Sequence, residues 1–86
     1  MTEYTILTTS EEVNDIYNGN RRFIMRSVHE NMKPGDQINF RLMRNQKEVY
    51  HLINRKRYVI TIVENWHTAP ILKKWLLVGF KEIKND

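Results

Sequence analysis

The alternation of hydrophobic and polar residues divides this chain into short elements. Tyr4 to Thr8 is rich in β-branched and aromatic residues, which predicts a first strand. Ser10 offers a helix N-cap, and Asn18-Gly19 supplies the left-handed residue that ends a helix of about two turns. Between them an apolar stripe at helical spacing is formed by Val13, Ile16 and Tyr17.

Two further strands are predicted on either side of a Pro-Gly turn. Arg21 to Val28 forms the first, and its alternation places Phe23 and Met25 on one face and Arg22, Ile24 and Arg26 on the other. Met32 to Asp36 has turn chemistry, because proline presets one backbone dihedral and glycine accepts a positive φ. Ile38 to Met43 then alternates as a half-buried strand does, and Asn45-Gln46 is typical of a turn.

The second half of the chain contains the strongest strand. Lys47 to Asn54 fits either another strand or an irregular excursion, whereas Tyr58 to Val63 is apolar on both faces and predicts a central strand. The remaining segments are a predicted loop from Glu64 to Pro70, a possible helical turn at 71–74 and a closing strand over 75–83 that begins at Trp75, a predicted core residue. Gly79 in that strand marks a kink or a close backbone approach.

These elements predict one α+β domain, mainly β, over residues 1–86. Four or five short strands with one or two short helices favour a curled β-barrel, because short strands hide their edges by closing on one another. The absence of cysteine excludes disulfides and thiolate metal sites, as in a cytoplasmic protein. The start of the chain lacks a signal-peptide pattern, and the longest apolar run is too short to cross a bilayer, so no membrane partner is expected.

The distribution of charge points to an anionic partner. The chain has a formal net charge of +4, and residues 1–20 contain acidic residues but no lysine or arginine. The candidate anion-binding side chains are Arg21, Arg22, Arg26, Arg55, Lys56 and Arg57, because guanidinium and ammonium groups bind phosphate. Trp66 and His67 could stack on an unpaired RNA base.

Structural interpretations of the same residues stay open. Arg55 to Arg57 equally fit a solvated face, and Arg26 equally fits a pair with Asp36 or Glu64. Trp66 fits a core or rim aromatic at least as well as a stacking residue. The three histidines, His29, His51 and His67, are too widely spaced to predict a metal site, and no glycine-rich phosphate loop predicts a cofactor.

One motif carries a family resemblance. The helix ending at Gly19, the strand with Arg21 and Arg26, and the following Gly35-Asp36 resemble the ASCH family of PUA-like domains, which show Gly-x-Lys-x-x-Glu/Thr-x-Arg across a cleft. The closing strand over 77–83 is also similar to that of small ASCH-like proteins. The resemblance spans residues 4–83 and implies a PUA-like mixed-strand pseudo-barrel, with Gly19, Gly35 and Asp36 as structural motif residues.

The resemblance also implies candidate activities. Some small ASCH proteins are amidohydrolases on N4-acylated cytidine, using the lysine, the threonine and a later glutamate, for which Glu64 would stand here. This chain has Arg21 and Ile24 at the first two positions, and neither a base nor a nucleophile follows from those side chains. RNA or nucleotide-like anion binding in a basic cleft is therefore the predicted function. The alternatives are the amidohydrolase and a basic interaction module or homodimer.

Overall fold

A computed structural model of the protein describes residues 2–26, 31–67 and 74–84, with backbone alone at 65–67 and 74–75. The single α-helix among these residues, α1, follows the first strand and precedes the others. The helix and strands are β1 (Glu3–Thr8), α1 (Ser10–Tyr17), β2 (Phe23–Arg26), β3 (Gln37–Arg44), β4 (Lys47–Val49), β5 (Arg57–His67) and β6 (Lys74–Ile83), with a 3₁₀ turn at Leu52–Arg55.

The strands form one mixed sheet in the order β1-β3-β5-β6-β2, with β4 paired to β3 as a hairpin. The β1–β3 pair is parallel and the other pairs are antiparallel. This confirms the predicted α+β, mainly β class and the central place of the Tyr58 strand. The pairing path ends at β1 on one side and β2 on the other, so the sheet of the described residues is open and the closed barrel stays a prediction.

The N-cap of α1 lies one residue earlier in the chain than the sequence suggested. Thr9 is the N-cap and its hydroxyl oxygen accepts a hydrogen bond from the Glu12 N–H at 3.2 Å, whereas the sequence suggested Ser10, which is the first helical residue. Asn18 caps the other end, and Gly19 has a φ of +79°, as predicted for a left-handed residue after a helix. Val13 and Ile16 are the buried side chains of this helix.

The turns confirm the positions read from the sequence. Gly35 adopts a φ of +97° before β3, and Asn45 and Gln46 adopt φ values of 51° and 64° at the hairpin that joins β3 to β4. Asp36 is 1% exposed, and its carboxylate accepts hydrogen bonds from the N–H groups of Thr2 at 3.1 Å and Lys33 at 3.3 Å. Asp36 therefore fixes the Pro-Gly turn and the start of the chain together.

The core lies on the inner face of the sheet against α1. Alternating residues of β3 are buried, and Phe40 packs its ring at 5.1 Å from that of Tyr58 and 5.0 Å from that of Phe80. On β2 only Ile24 is buried, because the opposite face of that strand, with Phe23 and Met25, is exposed. The buried core residues are Ile6, Val13, Ile16, Ile24, Ile38, Phe40, Leu42, Ile53, Tyr58, Ile60, Leu76, Val78 and Phe80.

Two predictions for the second half were wrong or incomplete. Glu64 to His67 continue β5 instead of forming a loop, because their backbone pairs with β6 as far as His67 opposite Lys74. The possible helical turn at 71–74 lies mostly outside the described residues, and Lys74 itself starts β6. The ambiguous segment at 47–54 divides into β4 and the 3₁₀ turn. Val28 and the Trp75 side chain lie outside the described part.

Gly79 permits the close approach that the sequence suggested. Its backbone pairs with both Phe23 of β2 and Ile62 of β5, beside a bulge between Ile60 and Ile62. A Cβ at this position would lie 2.6 Å from Cγ2 of Ile62 and 3.2 Å from Oγ1 of Thr61. A larger residue at position 79 would therefore require the Ile62 side chain to move.

We expect Gly79→Ala to lower the free energy of unfolding by about 1–3 kcal/mol, the usual cost of an inserted methyl group in a packed site. Urea denaturation would measure the change. The double variant Gly79→Ala/Ile62→Ala should recover much of the loss, because it removes the methyl group that the new Cβ meets. Ile62→Ala is the control, and an unchanged stability of Gly79→Ala would show that the approach imposes no constraint.

Candidate functional site

A cleft opens where the C-terminus of α1 meets the start of β5 and the end of β6. Its volume is about 380 Å³, within the range of small-ligand pockets. Tyr17 and Gly19 form the helix side and Phe80 lies in its wall. The polar side chains that define this basic cleft are Arg21, Arg22, Tyr58, Lys81, Glu82 and Lys84.

Tyr58 places a buried hydroxyl at the base of the basic cleft. The residue is 3% exposed, and its hydroxyl oxygen has no hydrogen-bond partner in the described part of the chain. Burial raises the pKa of this phenol to about 12, and the charges of Glu82 and Tyr17 contribute to the increase. Both contributing residues line the basic cleft, as Tyr58 itself does.

The cations of the basic cleft differ in how far they are neutralised. Arg21 lies 3.6 Å from the Asp15 carboxylate and 3.8 Å from that of Glu12, so two acids of α1 hold it. Arg22, Lys81 and Lys84, by contrast, make no ion pair or hydrogen bond with another described side chain. No described acid therefore offsets the positive charge of these three side chains, and an anionic ligand could pair with them.

Lys56 neutralises Glu82, an acid that lines the basic cleft. Its ammonium group lies 3.1 Å from Oε1 of Glu82, donates to the Tyr17 carbonyl at 3.4 Å and lies 4.2 Å from the centre of the Tyr17 ring. Lys56 thus ties the segment before β5 to α1 and β6, a structural role beside the predicted binding role. Its neighbours Arg55 and Arg57 are exposed.

Arg26 and Arg21 both approach Glu12, but Arg26 lines a groove other than the basic cleft. It sits four residues beyond Arg22, about 13 Å along an extended strand, and lines a groove beside β1. Its guanidinium makes a two-point ion pair with Glu12, with Nη2 at 2.7 Å from Oε1 and Nη1 at 3.1 Å from Oε2. The structural partner is therefore Glu12, and not Asp36 or Glu64 as the sequence suggested.

The remaining predicted site residues fall in different places. Trp66 and His67 end β5, where their backbones pair with Trp75 and Lys74, and their side chains lie outside the described atoms. Of the motif residues, Gly19 lines the basic cleft, whereas Gly35 and Asp36 form the turn before β3.

The positions that matter for the amidohydrolase alternative do not come together in the described structure. Ile24 is 1% exposed and belongs to the core, opposite Val78 of β6. Glu64 pairs with Leu77, on the face of the sheet opposite to that of Ile24 and Val78. Arg21, at the position of the family lysine, forms an ion pair with Asp15 of α1.

The sequence did not indicate four polar residues of the basic cleft, namely Tyr58, Lys81, Glu82 and Lys84. Tyr58 belongs to a strand with an apolar pattern, and the other three lie on or just after β6, which is distant from the arginines in sequence and joins β2 only by pairing in the sheet. The signal for Lys81 was present in the closing strand, where it lies two residues after the conspicuous Gly79. The signal for Tyr58 was a lone hydroxyl on a residue predicted to be central.

Comparisons with known proteins add no assignment. Neither the models of known protein families nor the curated proteins give a match to this sequence. Across residues 2–26, 31–67 and 74–84, no helix has the length and apolar character needed to span a membrane. The same residues contain no cluster of three histidine, aspartate or glutamate side chains that could hold a metal ion.

Proposed function

We propose that the protein binds RNA, or a nucleotide-like anion, in the basic cleft. The observation that carries the proposal is the group of cations Arg22, Lys81 and Lys84, which line the cleft and have no ion-pair partner among the described side chains. Phosphate oxygens accept hydrogen bonds from guanidinium and ammonium groups, so a phosphate has the required chemistry.

Charge in the basic cleft supports an anion. Arg22 can donate two parallel hydrogen bonds to a phosphate, and the two lysines add ammonium groups on the opposite strand. Glu82 would repel the ligand, but the ammonium of Lys56 lies 3.1 Å from its carboxylate and offsets its charge. The positive field thus extends to the mouth of a pocket large enough for one nucleotide unit.

Single-stranded RNA fits the described elements better than duplex DNA. The helix α1 has eight residues and carries Glu11 and Glu12 in its first turn, so it is too short and too acidic for the major groove. A cleft at the end of a sheet can instead accept unstacked nucleotides one at a time.

The test is fluorescence anisotropy with a short, labelled, mixed-sequence single-stranded RNA over a series of salt concentrations. Three phosphate contacts predict a slope of log K against log salt of about −2, and Arg22→Ala or Lys81→Ala should each reduce its magnitude by about 0.7. Competition with a nucleoside monophosphate and with inorganic phosphate distinguishes recognition of a nucleotide from recognition of the anion.

Lys47→Ala is the matched control. Lys47 is an exposed lysine on a strand, and it pairs with Arg44, six residues and about 20 Å along β3 from the Ile38 that pairs with Tyr58. We expect it to leave the salt slope unchanged. No detectable RNA binding at low salt, or an equal effect of Lys47→Ala and Lys81→Ala, would contradict the proposal.

A further inference from the structure

Phe23 lies on the outer face of the sheet, away from the core. Its side chain is 55% exposed, and it pairs with Gly79 of β6. On the other side of Gly79, the paired residue of β5 is Ile62, which is 46% exposed. Met25, 39% exposed, and Leu77 form the next row on the same face. These four apolar side chains around Gly79, namely Phe23, Met25, Ile62 and Leu77, are termed the outer apolar patch.

The outer apolar patch is charged differently at its two ends. Lys81 follows Gly79 by two residues, so it projects from the same face and is a diagonal neighbour of Phe23 at about 7–8 Å. Lys81 also lines the basic cleft and so joins it to the patch, whereas Arg22 precedes Phe23 directly and projects from the opposite face. Glu64 lies opposite Leu77 at the far end. A negatively charged ligand on the patch is therefore directed towards the Lys81 end.

We propose that Phe23 is a stacking platform for an unpaired RNA base whose phosphate binds Lys81. The inference rests on the proposed function and extends the site from the basic cleft onto the sheet surface. An exposed aromatic ring beside cations suits this ligand, since every base has a face to stack and every nucleotide has a phosphate to pair. Gly79 contributes by leaving no side chain beside the ring on β6.

The arrangement favours nucleic acid over an apolar protein partner. An apolar surface of this kind also serves protein association, as in a dimer of this chain. The patch, however, ends at Lys81, a cation without an ion-pair partner among the described side chains, rather than at further apolar surface. An aromatic ring with a cation beside it suits a ligand that carries both a planar base and a phosphate.

The experiment measures the affinity of single-stranded RNA for Phe23 variants over the same salt series. Stacking of one base predicts that Phe23→Ala weakens binding about ten-fold while the slope against log salt stays unchanged, because no phosphate contact is lost. Phe23→Leu should lose as much, since it keeps apolar area without a ring, and Phe23→Tyr should bind as the wild type does. Tyr50→Ala, at an aromatic residue 62% exposed just after β4, is the control.

The outcomes separate the two proposals. If Phe23→Ala and Phe23→Leu bind RNA as the wild type does while Arg22→Ala weakens it, stacking is wrong and the basic cleft stands. If the wild type binds no RNA, both proposals fail. Sedimentation of the same variants adds a third result: a dimer that Phe23→Ala dissociates, with unchanged RNA affinity, would make the patch a protein interface and overturn the inference.

Discussion

Phe40→Ala is expected to lower the free energy of unfolding by about 3–5 kcal/mol, the usual cost of removing a fully buried phenylalanine. Phe40 has no exposed surface and joins β3 to the rings of Tyr58 on β5 and Phe80 on β6, so the change opens a cavity at the centre of the sheet. A domain of 86 residues has a total stability of about 4–13 kcal/mol, so the variant loses a large part of it.

Urea denaturation followed by circular dichroism measures this loss. Phe23→Ala is the matched control, because it removes the same atoms from an exposed position and should change stability by about 0.5 kcal/mol or less. Should Phe40→Ala fail to fold, Phe40→Leu leaves a smaller cavity and gives a measurable intermediate value. A loss for Phe40→Ala no greater than that of Phe23→Ala would place the core elsewhere.

The second large effect is a loss of stability at alkaline pH caused by Tyr58. The folded protein holds the phenolic proton until a pKa of about 12, whereas the unfolded chain releases it near the ordinary phenol pKa of 10.0. Between these values the unfolded state binds fewer protons, so the stability falls as pH rises. The total is about 2–3 kcal/mol, fully present below pH 10 and lost by the upper end of the window.

The measurement compares the wild type with Tyr58→Phe across that pH range, because lysines that titrate in both proteins cancel in the difference. Tyr58→Phe should show a weaker decline at alkaline pH. At neutral pH it should be more stable than the wild type by about 1 kcal/mol, since it removes a buried hydroxyl that has no partner in the described part of the chain. If the free energy of unfolding declined equally with pH in the two proteins, the raised pKa of the buried Tyr58 phenol would be contradicted.

Local patterns predicted most of the fold. The alternation in β3, the apolar stripe of α1 and the positive-φ residues Gly19 and Gly35 all appear where the sequence indicated. The error at the end of β5 has a physical cause. Glu64 to His67 have mixed polarity and no continuous apolar pattern, and only pairing with β6 over ten registered positions keeps them extended.

The candidate site was predicted in part. Arg21 and Arg22 line the basic cleft, but Arg26 does not. Arg22 and Arg26 share a face, yet the four-residue separation places Arg26 about 13 Å further along the strand, beside β1. The pairing of Arg26 with Glu12 depends on how α1 packs against β2, a contact fourteen positions apart in sequence. No local pattern contains that distance.

By itself, the sequence determined the class of fold, the positions of helix and turns, and an excess of positive charge after residue 20. Those features follow from side-chain periodicity and backbone preferences, which act over a few residues. The tertiary structure decided which cations share the basic cleft, that the Tyr58 hydroxyl is buried without a partner, and that Phe23 faces outward. Each of these depends on strand order and register, which join residues far apart in the chain.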